Sequence, residues 1–330
     1  MVCQGDGQLA SDSQREGRVA DGMNGRTPGG NASGADCAMG ISKYLIASSV
    51  EEALGFLDRE GGRAQIIAGG TDLVLELGKV QTTDSAREVA SLVDISRIHS
   101  LHAIWEADGR LHVGAASTHK EVATSALVRS GAIVLADAAL AVGSPQVREV
   151  GTIGGNVVNA LPAADTAIAL TALDADATVA TAGCGERVQP IIALYAGVGR
   201  STVNAATEIV TEFSFPIPTA SAFQRLARRK ALALPILNTA AVLDYGPDLV
   251  CRRARVVVGP MAVTPWRACS AEAVLQGFRL TDDLIVLAAR AAEAAATCRD
   301  SIRACSLYRK PMVRVLVERA LRDALRRGPT

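Results

Sequence analysis

The sequence predicts an α+β chain in successive parts, and three observations carry that reading. Apolar runs alternate with amphipathic stretches up to residue 142; from Ala177 the texture turns to hairpins and alternation; beyond Pro216-Ile217-Pro218 three strand-like runs precede helical periodicity. With 330 residues, 49% of them hydrophobic, the chain can bury one large core or two ordinary ones.

The elements follow in order. Ser49-Val50-Glu51-Glu52 has the spacing of a capping box and opens an amphipathic helix through Leu54 and Leu57, which Gly61-Gly62 ends. Gln65-Ile66-Ile67-Ala68 reads as a short buried strand, followed by Gly69-Gly70-Thr71-Asp72 and a helix over Leu73–Leu77. Leu92-Val93-Asp94-Ile95 and Arg110–Gly114 are further strands, Thr118–Glu121 is a second capping box, and a helix runs from about Ala132 to Val142. Ala177–Thr181 and Arg187–Ile191 flank Gly183-Cys184-Gly185 as a hairpin, and Thr207–Phe215 alternates strongly. The proline pair that follows places a domain boundary between 42–218 and 219–330. In the second part, Ala222–Arg228, Thr239–Asp244 and Arg252–Val258 are expected to form a three-stranded antiparallel sheet. Helices follow over Ala271–Gln276, Asp282–Thr297 and Ser306–Arg326. Residues 1–41 are glycine-rich, with one leucine and one late isoleucine, and cannot offset their ordering entropy; they read as a disordered extension, with Met39 a possible functional start.

Composition excludes several functions. Basic and acidic residues balance at 34 each and aromatics are 3%, which argues against nucleic-acid binding. No apolar run reaches the roughly 20 residues of a membrane span, and the N-terminus lacks the apolar stretch of a signal peptide. The seven cysteines are scattered without C-x-x-C spacing, so the chain is expected to hold no metal and to reside in the reducing cytoplasm. Cys298 and Cys305, seven apart, read as small apolar residues on one helical face.

Two glycine motifs carry the chemistry: Ile66-Ile67-Ala68-Gly69-Gly70-Thr71-Asp72-Leu73 and Thr152-Ile153-Gly154-Gly155-Asn156, the latter preceded by Gly151. Paired glycines let successive backbone N–H groups turn inward and admit another group without a Cβ clash. A following helix adds unpaired N–H donors, and its positive end contributes about 0.3–1 kcal/mol per exposed negative charge. Two such loops could close on one pyrophosphate. Neither has the Gly-Lys-Ser/Thr of a Walker motif, and neither is G-x-G-x-x-G.

Both motifs, in order, resemble the FAD-binding subunit of the molybdenum hydroxylases, the xanthine dehydrogenase and carbon monoxide dehydrogenase medium-subunit family. The resemblance covers roughly residues 42–325. It extends through Gly114-Ala115-Ala116-Ser117-Thr118-His119, Val142-Gly143-Ser144-Pro145, Pro162-Ala163-Ala164-Asp165, Val263-Thr264-Pro265-Trp266-Arg267-Ala268 and Tyr308-Arg309. It implies a PCMH-type FAD-binding domain of two subdomains, followed by a small α+β flavoprotein domain. By the family pattern Ile66–Leu73 and Thr152–Asn156 hold the FAD pyrophosphate by backbone groups. Asp165 accepts hydrogen bonds from cofactor hydroxyls unless it is an ordinary helix-start aspartate. Val142 stands where some members place an aromatic contact, and Val203 lies beside the cofactor. Arg228 and Arg229 fall near a basic family position, or on a solvated strand face.

Thr71 stands where covalently flavinylated relatives use a histidine in or near the loop, so non-covalent FAD is expected. His119 reads as a capping-region or surface histidine. The cysteine-rich insertion of the 4-hydroxybenzoyl-CoA reductase branch is absent from the sequence. Between Arg299 and Arg327 nine basic residues face three acidic ones, which suits either a solvated helical face or a docking surface. The resemblance implies an electron-transfer subunit working with a large molybdopterin-binding subunit and a small [2Fe–2S] subunit. A stand-alone PCMH flavoenzyme, such as an NADPH-dependent enolpyruvyl-sugar reductase, and a flavin-free scaffold are the rival readings.

Overall fold

The computed structural model describes residues 41–80, 89–229 and 232–329. The expected extension at 1–41 falls almost wholly outside these residues, as does Met39. Three strands form a parallel sheet in the order Lys43–Ile46, Ser91–Asp94, Ala64–Ile67. Its central strand is buried along its whole length, as a parallel strand covered on both faces must be. The helix Val50–Arg59 joins the first two strands in sequence. Ser49 Oγ accepts from Glu52 N–H (3.1 Å), but the Glu52 carboxylate takes the N–H and hydroxyl of Ser48 rather than closing the box on Ser49. Ala53 and Leu57 pack beneath this sheet with Val93, Ile98 and Leu101.

A five-stranded antiparallel sheet follows, in the order Ile104–Ala107, Arg110–Gly114, Glu208–Pro216, Asp176–Thr181, Gly185–Pro190. A bulge between Val210 and Glu212 places Val210 on the same face as Phe213 and Phe215, while Ile209 joins the core under the parallel sheet. Between Gly114 and Asp176 the chain makes six helices: His119–Thr124, Ala126–Gly131, Ile133–Ala141, Pro145–Val150, Ile153–Val158 and Asp165–Ala172. The capping box at Thr118 closes in both directions. All eight residues of Asp165–Ala172 are buried, which explains why that helix has no polar face.

The last sheet contains the three expected antiparallel strands, at Ala220–Leu226, Leu237–Tyr245 and Cys251–Gly259. A two-residue fourth strand, Trp266–Arg267, lies at its edge. Ala241, Leu243, Val256 and Val258 face the helices Cys269–Leu275, Asp282–Ala295 and Ser306–Arg327. Phe223, Ala240, Val242 and Val257 face the other way, into the core shared with the six-helix segment. Cys298 and Cys305 share no helix. The first lies in the connection after Asp282–Ala295 and the second is the N-cap of Ser306–Arg327, because the chain leaves the helix at Ala296. Among the described residues no helix is long and apolar enough to cross a membrane.

A buried glutamate paired with a solvent-exposed arginine fastens this sheet to its first helix. Glu272, almost fully enclosed, accepts from Val256 N–H (3.0 Å) and takes both Nε and Nη2 of Arg267 (Nη2 at 2.6 Å). Removing Glu272 leaves the buried Val256 N–H without its acceptor, while Arg267 can turn to water. Glu272→Ala is therefore expected to cost roughly 2 kcal/mol, measured as a shift in denaturant midpoint at unchanged slope.

Candidate functional site

A cleft of about 870 Å³ opens beside the ends of the strands Ala64–Ile67 and Glu208–Pro216. Its size is at the upper end of small-molecule sites. Ile66, Ile67, Ala68, Gly69, Gly70, Thr71, Asp72 and Leu73 line it from one side, and Thr152, Gly154, Gly155 and Asn156 from another. Asp165, Val142 and Val203 complete the sequence-predicted set in its wall. Ile153 is the exception: its side chain is fully buried in the core and does not line the cleft, since the turn at Thr152 points the first helical side chain inward.

The two glycine loops meet backbone to backbone. A Cβ on Gly69 would lie 2.0 Å from the carbonyl oxygen of Val150, and one on Gly154 would lie 2.6 Å from that of Ala115. No other residue permits these approaches. The loops differ in what they offer. The N–H groups of Ala68 through Leu73 have no acceptor among the described residues, and the helix Leu73–Val80 adds its positive end behind them. In the second loop the four donors after Thr152 are already used. Ile153 N–H donates to Ser117 O, Gly154 N–H to Ala115 O, Gly155 N–H to Thr152 Oγ1 and Asn156 N–H to Thr152 O. The two loops, both expected to hold a pyrophosphate by backbone groups, thus differ: the first presents free donors among the described residues, and the second mainly a surface without side-chain bulk.

Asp165 begins its helix 5% exposed. Its Oδ1 accepts from Asn238 Nδ2 (2.6 Å), and Arg225 Nε stands 3.3 Å from Oδ2, an ion pair without the alignment of a hydrogen bond. Arg225 also donates to the Ala233 carbonyl, so it ties the loop Leu232–Leu234 to the same wall. Arg228 and Arg229 stand outside the cleft lining. Arg228 donates to the carbonyls of Ile302 and Arg303, and Arg229 to that of Leu232. The arginines that line the cleft are Arg200 and Arg225, the latter three positions before Arg228, and no spacing in the sequence marked either. His119, read as a capping or surface residue, is buried and lines the cleft. Enclosure, reinforced by the Arg148 charge, pushes its pKa down to about 4.

The features fit a dinucleotide: a row of free donors for phosphates, an apolar wall from Val142 and Val203, and a fixed carboxylate. Among the described residues no group of three or more His, Cys, Asp or Glu side chains could hold a metal ion.

Burial raises the Asp165 carboxyl to about 6, against the opposing pull of Arg225 and Asn238. A folded-state value above the ordinary one favours folding at low pH, and that contribution is lost as pH rises through 6. Asp165→Asn removes this dependence. Wild-type stability relative to the variant should fall by about 2 kcal/mol between pH 4 and 7, read from urea midpoints of the cofactor-free proteins. A pH-independent difference would contradict the assignment.

Comparison with known proteins agrees with this geometry. Residues 38–218 match the FAD binding domain in molybdopterin dehydrogenase, and residues 221–324 match the CO dehydrogenase flavoprotein C-terminal domain. The chain is 33% identical over 288 residues to the 6-hydroxypseudooxynicotine dehydrogenase complex subunit alpha of Paenarthrobacter nicotinovorans, covering 86% of this chain and 95% of the relative. It is 34% identical to the nicotinate dehydrogenase FAD-subunit of Eubacterium barkeri, covering 72% of this chain and 81% of the relative. A solved carbon monoxide dehydrogenase chain from Hydrogenophaga pseudoflava superposes with a TM-score of 0.78 at 27% identity, over 88% of this chain and 99% of that one. Fold, glycine loops and sequence converge: the chain belongs to the FAD-binding family of the molybdopterin dehydrogenases and is an FAD-binding oxidoreductase subunit.

Proposed function

We propose that this chain is the electron-transfer subunit of a molybdenum-containing hydroxylase complex. It would receive electrons from [2Fe–2S] clusters on a small partner subunit, while a large molybdopterin-binding subunit oxidises the substrate. The terminal acceptor is NAD, a quinone or oxygen. The single observation that carries the reading is the pair of glycine loops packed backbone to backbone at one cleft, one of them presenting a row of unpaired N–H groups.

FAD, when bound, supplies the redox chemistry, and the protein's part is placement and tuning. In this reading the N–H groups of Ala68–Leu73 hold the phosphates, and Gly154, Gly155 and Asn156 let the cofactor approach the second loop closely. Asp165, fixed by Asn238 and Arg225, keeps lone pairs available to cofactor hydroxyls. Val142 and Val203 exclude water from an apolar part of the cofactor. A cytoplasmic location belongs to the same proposal and rests on the scattered, odd cysteine count.

The test is purification of the tagged chain from its native host. Flavin absorption with co-purifying molybdopterin and iron–sulfur subunits is expected; protein that stays colourless after FAD reconstitution overturns the reading. Because Thr71 offers no ring nitrogen for a flavin link, acid precipitation should leave the flavin in the supernatant. Yellow colour retained in the pellet would show covalent attachment at another residue.

A further inference from the structure

His119 opens the helix His119–Thr124 on the floor of the cleft, 2% exposed. Its main-chain N–H donates to Gly151 O (2.9 Å), which fixes the residue against the second glycine loop. The ring is placed at the seam between the loops. A Cβ built on Gly151 would lie 3.3 Å from His119 Cδ2 and 3.7 Å from Thr71 Cγ2, so imidazole, second loop and first loop converge at one point.

The imidazole has no hydrogen-bond partner among the described residues. Its Nδ1 is sealed inside the protein, whereas Nε2, on the Cδ2 edge that faces Gly151, is not so enclosed. A neutral imidazole carries one proton and one lone pair. A sealed, unanswered N–H is rarer in proteins than an unanswered lone pair, which favours the proton on Nε2. That leaves a donor at the cleft with no acceptor among the described residues. Buried polar groups are almost always answered, and one left open on a cavity wall points to the cavity's ligand.

We propose that His119 is a side-chain donor of the diphosphate subsite, hydrogen-bonding from Nε2 to a phosphate oxygen seated where Thr71 and Gly151 meet. This rests on the FAD reading above and adds to the first loop's backbone donors a contact from the helical segment. Such a bond to an ionised oxygen is stronger than one to a neutral acceptor. Because the ring is held uncharged by burial and by Arg148, its contribution is directional and does not depend on its own positive charge.

The test titrates the cofactor-free protein with FAD, ADP and riboflavin by calorimetry. His119→Ala should weaken FAD and ADP about tenfold or more and leave riboflavin, which has no phosphate, unchanged; His119→Gln, whose amide can donate from a similar position, should recover most of the loss. Equal affinities for all three ligands in wild type and His119→Ala would overturn the proposal, as would an equal loss for all three. A wild-type protein that binds none of them removes the FAD reading itself. Should His119→Ala fail to fold, the wild type still decides: the His119 ring nitrogen resonances must shift on adding ADP, and unchanged resonances at saturating ADP overturn the assignment.

Discussion

The site depends on the contact between Gly69 and the main chain at Val150 and Gly151. Here the turn that leaves the parallel sheet lies directly on the turn that joins two short helices, with no side chain between them. Any Cβ at Gly69 would overlap the Val150 carbonyl and pry the turns apart. Gly154 does the same against Ala115, seating the second loop on the end of the antiparallel sheet. The cleft is what remains above these two approaches. Its shape is therefore set by backbone, which is stiffer than the side chains lining most pockets.

That stiffness divides the work. The second loop has its N–H groups bonded inward, to Ser117, Ala115 and Thr152, so it holds its form without a ligand. The first loop has donors without acceptors among the described residues, and in the proposed reading it answers the ligand's charge. The third wall comes from the last sheet, whose Arg225 and Asn238 reach across to Asp165. A buried carboxylate is costly alone and tolerable when partnered, so this contact also holds two strands of the last sheet and a helix in one arrangement.

Along the chain, the legible elements were those with a long apolar signature. Val50–Arg59 presents one apolar face to a core at helical spacing, while Glu208–Pro216 and the long strands of the last sheet face cores on both sides and show as strand-length runs rich in apolar residues. Of the six helices between His119 and Ala172, the capping box, the run from Ala132 and the helix start at Asp165 gave away three, while Ala126–Gly131, Pro145–Val150 and Ile153–Val158 were illegible. Several are a bare six residues, too short to complete a hydrophobic period, and Pro145, Gly154 and Gly155 inside them read as loop punctuation. The basic stretch near the C-terminus divides in a way composition could not show. Arg314, Arg322, Arg326 and Arg327 are paired with acids on the same or neighbouring elements, while Arg309 is buried and donates to Pro260 O.

The sequence by itself determined the α+β order, the two glycine turns and the family they belong to, because turns that need missing side chains leave glycine in the text. It also marked Asp165, through its place at a helix start after Pro162-Ala163-Ala164. Tertiary structure alone decided that Arg225, and not Arg228 or Arg229, enters the cleft, because neighbouring strand residues point to opposite faces and the chain bends after Leu226. It decided that Ile153 belongs to the core and that His119 is buried at the loop seam, since both follow from how a short helix is rotated on its support. Rotation about a helix axis is set by long-range packing, and six residues of sequence do not encode it.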